Sequence, residues 1–309
     1  MGRLYWSADR DARLRDEAMR WLEVRTSDGR DPISREELAG FRFDAGRLPL
    51  IDPQRGIRKP IVLEAALSMV TTYTSSTAVR PYDDQAGLDG MLRYKWRGLD
   101  ADHPDNVALR RAMELGLPLI WLFGIGSSQF QAVFPVYLVA EEPAEHQFVV
   151  GYEPEFMSPV PDSPMEAAIR RYVVRETKVR VHQPVFRATV MRAYATRCAV
   201  CSLGHAELLD AAHIIPDSLE AGIASVTNGL ALCRIHHAAY DRFILGVRPD
   251  YVVEIRHDLL VEIDGPMLEH GLKRRHGQPL MSLPKQAREQ PDPELLARTY
   301  ERFQRGSTG

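Results

Sequence analysis

Cysteine and histidine are concentrated in one short window of the chain. Two residues separate Cys198 from Cys201, two separate Cys233 from His236, and all three cysteines of the protein fall within this stretch. Zn2+ takes four N or S ligands in a tetrahedron. A two-residue gap lets one tight turn offer two of them, and a long insert between such knuckles is tolerated. Cys198, Cys201, Cys233 and His236 meet that requirement, whereas treating the cysteines as small buried hydrophobes leaves their paired spacing unexplained. Four protein ligands leave no coordination position for water, so this set does structural chemistry. Between and beside the knuckles stand Asp210, His213, Asn228, Gly229 and His237. A neutral imidazole can take a proton from water near pH 7, and a neighbouring metal can stabilise charge building on a phosphate.

The elements that must position these residues follow from the same window. The run 207–216 reads as the first strand of a short hairpin, stopped at Pro216, which has no N–H to give a ladder. After a polar stretch to Thr227, the run 228–232 reads as its return, followed by a helix that carries His236 and His237. Adjacent helical residues differ by about 100° in direction, so His237 points away from the zinc set. The order His213, Asn228, His237 on hairpin and helix resembles the HNH (ββα-metal) endonucleases. That resemblance implies that His213 is the general base and that Asn228 braces the loop holding it. Gly229 then permits a sharp chain reversal, and His237 is a ligand of the catalytic metal, Mg2+ or Mn2+, while Zn2+ sits in the Cys3His set. Many HNH enzymes place a carboxylate or second histidine immediately before the base; here that position is Ala212. Asp210, two residues earlier and so on the same strand face, is the candidate for the missing oxygen ligand, directly or through a water. HNH enzymes nick one strand per site, so a double-strand break implies two copies, most simply a homodimer.

At 309 residues, with 45% apolar and 26% charged residues, the composition is that of a globular chain of two domains. No apolar run reaches the ~18 residues of a membrane span, and the first ten residues lack the apolar core of a signal peptide. The expectation is a soluble cytoplasmic protein with no membrane partner. The net charge of −3 is unevenly spread. Arg170, Arg171, Arg175, Lys178, Arg180, Arg187, Arg192 and Arg197 stand against only Glu166 and Glu176 between Met165 and Val200. Such a stripe attracts a phosphate backbone, although charge runs of this length are also common on solvated helix faces. The first five of these basic residues are the candidate DNA contacts.

A proline-rich run over 153–162 marks a boundary, and Ser163, Pro164 and Glu166 give the cap, first-turn proline and capping-box residue of a helix reaching about Thr177. The division expected is an N-terminal reading domain over 1–153, a linker and basic helix over 154–182, and a zinc-stabilised nuclease domain over 183–309. In the last, a helix begins near Pro184 and buries Phe186, Val190 and Tyr194. A strand covers 251–255, and a final helix starts at Pro293, capped by Asp292, with Leu295, Leu296, Tyr300 and Phe303 as its apolar face.

The first domain reads as mixed helix and β-barrel, so the whole chain is α+β. A helix over 12–24 and another begun by the capping box Ser34–Glu37 form a lead-in of helix-turn-helix shape. A helix over 59–71 follows, then a short helix at 106–112 and two apolar strands, 117–123 and 132–139. From about 80 to 150 this order resembles the SRA and PUA-like barrels that read modified bases. The resemblance places recognition at Tyr82, Asp83, Asp84, Tyr94 and Trp96, since a flipped base needs an aromatic platform and a polar edge partner. The same residue types also make core packing and turns. Both halves together resemble restriction endonucleases that join a reader to an HNH domain. The resemblance implies a metal-dependent endonuclease cutting double-stranded DNA, directed at modified DNA. Two alternatives stay open: an HNH nuclease indifferent to modification, and a non-catalytic zinc-containing DNA-binding protein.

Overall fold

The computed structural model describes residues 5–73, 91–151, 183–216 and 225–306. Tyr82, Asp83 and Asp84, the proline-rich run, the helix expected over 163–177, and Arg170, Arg171, Arg175, Lys178 and Arg180 lie outside the described residues. The chain divides into two compact units at Val185/Phe186.

The first unit opens with α1 (Ala8–Arg25), which buries Leu14, Ala18 and Leu22 at four-residue spacing. The same face carries a buried ion pair: the Arg15 guanidinium donates to Asp11 at 2.8 Å and to the Pro118 and Ala66 carbonyls at 2.7 and 3.0 Å. Burying a guanidinium is tolerable only when its donors are matched in this way. Next come β1 (Ile33–Ser34) and α2 (Arg35–Gly40), whose capping box at Ser34 and Glu37 forms as the spacing requires. The lead-in is nevertheless not a helix-turn-helix. Only six residues long, α2 follows a strand that is paired with the main sheet rather than a free turn. A small hairpin, β2 (Arg42–Phe43) and β3 (Gly46–Arg47), leads to β4 (Ile57–Arg58) and β5 (Ser68–Thr71).

The helix expected over 59–71 is absent. Residues 65–71 are buried without interruption, a pattern no one-sided helix gives, because β5 lies between β4 and a parallel neighbour inside the sheet. The unit continues with β6 (Leu92–Lys95), α3 (Pro104–Glu114), β7 (Leu119–Gly126), β8 (Gln129–Glu142) and β9 (Gln147–Gly151). Seven strands form one curled sheet in the order β4-β5-β7-β8-β9-β6, with β1 paired to β8. The long β8 serves both halves, pairing first with β7 and then with β9, and each ladder carries a register shift that bends it.

The second unit begins at Phe186, within α4 (residues 183–193). It contains the hairpin β10 (Leu209–His213) and β11 (Gly229–Cys233), then α5 (Arg234–Asp241) and a second hairpin, β12 (Leu245–Val247) and β13 (Val253–Ile255). The short α6 (His257–Val261), a wide turn of helix over Met267–Leu272 and α7 (Pro293–Gly306) complete it. At the start of α7 the Asp292 carboxylate accepts from the Glu294 N–H at 2.8 Å. Leu296, Thr299 and Phe303 form the buried face of α7.

Candidate active site and metal centre

The donor atoms of Cys198, Cys201, Cys233 and His236 all lie within 4.8 Å of one another. Each knuckle is made by its own backbone. Ser202, with φ of 58°, turns the chain so that its N–H donates to the Cys198 carbonyl at 2.8 Å, and the Leu203 N–H donates to the Cys201 sulfur. Cys233 caps α5, whose first turn gives the His236 N–H to the Cys233 sulfur. Donors and a helix N-terminus at the Cys233 sulfur favour its thiolate, the form that binds metal, whereas the neighbouring sulfurs and burial push the Cys198 and Cys201 thiols up. His236 turns Nδ1 to the sulfurs, 3.1 Å from Cys233 and 3.5 Å from Cys198, while Nε2 lies 2.8 Å from the Gly271 carbonyl. That carbonyl fixes the tautomer with Nδ1 as acceptor, the outer partner expected of a ligating histidine. Burial acts to lower the His236 pKa, but the two sulfurs and the Gly271 carbonyl raise it to about 10, so the pocket favours positive charge at its centre. The residues fit a tetrahedral metal ion.

The other constellation is held by the same hairpin and helix. In the β10/β11 register Asp210 faces Leu232 and His213 faces Gly229. Beyond His213 the chain is tied to Asn228 three times. The Ile214 N–H donates to the Asn228 backbone carbonyl (2.9 Å), the Ile215 N–H to its side-chain oxygen (2.8 Å), and its amide nitrogen returns to the Ile215 carbonyl (3.0 Å). Thr299 of α7 adds a hydroxyl donated to the Ile214 carbonyl at 2.7 Å. His236 is buried, and His237, the next residue, turns elsewhere: its Nδ1 lies 3.5 Å from Asp210 and its Nε2 3.4 Å from Asp241. Contact with Asp210 raises the His237 pKa against the opposing effect of burial, and the Asp241 charge adds to the rise. Burial works to raise Asp210, yet His237, Arg187 and the Ala211 N–H together hold its carboxyl below the ordinary value. Asp210 therefore stays anionic beside an imidazole, a mixed O and N set suited to a divalent ion.

Residues 198–248 match the family model described as HNH endonuclease. This segment is an HNH endonuclease domain. The match ends one residue past β12, so α4 and α7 lie outside it. No curated protein matches the chain. Among solved structures, similarity is found to a modification-dependent TagI restriction endonuclease, at 20% identity over 88% of this chain and 92% of that one, with a TM-score of 0.31. It is also found to the Type IV phosphorothioation-dependent restriction endonuclease ScoMcrA, at 13% identity over 82% of this chain and 57% of that one, with a TM-score of 0.23. These scores are too low to transfer a fold or an activity.

Within the HNH domain the structure brings Asp210 to one ring nitrogen of His237 and Asp241 to the other. The signal for Asp241 was present in the sequence, four residues after His237 on one helix and so on the same face. Gly229 works differently from expectation. Its φ of −127° is ordinary extended backbone, and what requires glycine is space: a Cβ there would stand 2.3 Å from Val190 Cγ2 and 3.1 Å from Phe186 Cζ. Arg187 is no phosphate contact. It is buried, donates to the Leu209 carbonyl at 2.8 Å and holds Asp210 at 3.5 Å. In the first unit Tyr94 and Trp96 are not open stacking platforms. Tyr94, 7% exposed, packs edge-on against Trp121 and donates to the Val70 carbonyl; Trp96, 4% exposed, packs against His146 and Phe148. Alternate residues of β6 point inward, Tyr94 among them, and buried Trp96 continues the alternation just past the strand.

Proposed function

We propose that the protein is a divalent-metal-dependent endonuclease that hydrolyses phosphodiester bonds of double-stranded DNA, a restriction enzyme directed at modified DNA. The observation that supports the hydrolytic reading is the Asp210–His237 pair, which joins the hairpin strand that carries His213 to the following helix within an HNH domain. His213, partly exposed at the end of β10, takes the proton of the attacking water. Asn228 fixes that strand end through its bonds to Ile214 and Ile215. Asp210 and the Nδ1 side of His237 would hold Mg2+ or Mn2+, which when bound supplies Lewis-acid stabilisation of charge on the phosphate, while Asp241, at Nε2, would orient the ring as an outer partner. Arg187 keeps the Asp210 carboxylate ionised and in place. The Cys3His set would hold Zn2+ as a structural ion, since all four donors come from protein.

The reader role of the first unit rests on the SRA-like order of its sequence, and its candidate pocket at Tyr82, Asp83 and Asp84 belongs to that proposal. The test is one panel: plain, methylated, hydroxymethylated and phosphorothioate DNA, each incubated with Mg2+ or Mn2+ and with wild-type or His213→Ala protein. Preferential cutting of one modified DNA, abolished by His213→Ala with DNA binding and zinc content intact, is the expected result. Equal cutting of all four removes the reader role. A wild-type protein that binds but cuts none is a zinc-containing binding protein. Supercoiled plasmid converted to linear rather than nicked product, with a rate rising as the square of protein concentration, would support two copies acting together.

A further inference from the structure

We propose that Phe186 is a positioning residue for His213, which makes α4 part of the catalytic unit although it lies outside the HNH match; this rests on the hydrolytic reading above. The Phe186 ring lies flat on the His213 imidazole, with centroids 3.9 Å apart and planes 11° apart. Phe186 is itself only 4% exposed, and its place is fixed from several sides. Gly229, the residue paired with His213 across the hairpin, has no Cβ, which lets Val190 and Phe186 come down onto the strand. One turn further along, the Tyr194 hydroxyl donates to the Gly229 carbonyl at 3.3 Å. The neighbour of Phe186, Arg187, reaches the Leu209 carbonyl and the Asp210 carboxylate. Two consecutive side chains of one helix thus address the two ends of β10, the imidazole and the carboxylate.

The physical need is specific. An imidazole accepts a proton along the in-plane lone pair of its nitrogen, yet rotation about the outer torsion of histidine is broad and soft. A parallel ring at van der Waals contact blocks that rotation, because turning the imidazole out of plane drives its edge into the phenyl face. The same face is electron-rich and favours the imidazolium formed once the water proton has been taken. An aliphatic side chain of similar size fills the space without supplying either effect.

The test compares Phe186→Leu, Phe186→Tyr, His213→Ala and the double variant Phe186→Leu/His213→Ala in the full chain. It uses single-turnover cleavage of the preferred DNA from the panel with Mn2+, together with DNA affinity, zinc content, thermal midpoint and NMR of the histidine ring protons. The expected result is a rate fall of about 10–100-fold in Phe186→Leu, the size a misplaced catalytic group gives. DNA affinity, zinc content and midpoint stay near wild-type, Phe186→Tyr stays close to wild-type, and the double variant is no slower than His213→Ala. The His213 ring protons are shifted upfield by the aromatic face in wild-type and Tyr protein and lose that shift in the Leu variant. The proposal is overturned by a Phe186→Leu rate equal to wild-type while His213→Ala is inactive. It is equally overturned by a rate loss that tracks zinc loss or a fallen midpoint, or by the absence of the upfield shift in wild-type. A wild-type protein that cuts no DNA overturns the hydrolytic reading itself, and this role with it.

Discussion

Asp210 sits where three demands meet, since it faces His237, is held by Arg187 and is tied through its own Ala211 N–H. Replacing it with asparagine keeps the shape and removes the charge. Affinity for Mn2+, read by calorimetric titration of zinc-loaded protein, should fall at least 10–100-fold, the loss typical even of outer partners of a metal site, with zinc content unchanged. Wild-type affinity in Asp210→Asn would exclude the carboxylate as a ligand. His237 gives this residue a pH signature. Its pKa is raised above 6.5 by Asp210, so metal must compete with a proton to a higher pH than at a free imidazole. Mn2+ affinity should therefore climb as pH rises through and beyond 6.5, and a flat profile from 6 to 8 would remove His237 from the ligand set. In metal-free protein the sign is opposite for stability. Protonated His237 between two carboxylates stabilises the fold fully below 6.5, and that contribution is lost as pH rises through the raised value.

Hairpin and helix decide how much of this could be read in advance. The knuckle spacing, the cap at Asp292 and the capping box at Ser34 are local signals, and each sits in the structure where its spacing put it, whereas the strand expected to run to Pro216 already ends at His213, where Asn228 takes the Ile214 and Ile215 N–H groups. What could not be read is whatever depends on a partner distant in sequence. Residues 65–71 look helix-compatible until β4 and β7 close on them from both sides, and Arg187 looks like one more surface cation until Leu209 and Asp210 claim it. Gly229 is the sharpest case, because its need for glycine comes from Val190 on another element and not from its own backbone. Gly229→Ala should cost about 1–3 kcal/mol, as overpacking does, measured by urea unfolding of the zinc-loaded protein. A change under ~0.5 kcal/mol, the range of an ordinary surface substitution, would show that α4 has room to yield. Asn228→Ala should be as costly for a different reason. Asn228 is 1% exposed, and its loss strands the buried Ile215 N–H and carbonyl, worth about 1–3 kcal/mol each.

Over the whole chain, the two units differ in what holds them. The first relies on a sheet and an apolar cluster that joins α1, α2 and the β7 and β8 strands. The second gathers short hairpins and helices around the four donors of the Cys3His set, and a structural zinc there would be worth roughly 10–16 kcal/mol on the scale of small peptides. Chelation should therefore melt the second unit and leave the first, giving two separated calorimetric transitions where loaded protein shows the second unit at higher temperature. A single transition unmoved by chelator would show that the second unit stands without its ion. Among the described residues, no helix is long and apolar enough to cross a membrane.

The hydrogen bond from His236 Nε2 to the Gly271 carbonyl has a practical consequence for anyone trimming this protein. A fragment cut to residues 198–248 would leave that nitrogen bare, drop the Thr299 tether on Ile214 and discard Phe186 and Arg187, so it should precipitate or express as an unfolded peptide. A piece that keeps all of these contacts has to run from residue 183 to 306, and its boundaries are set by helices that the family signature never touches.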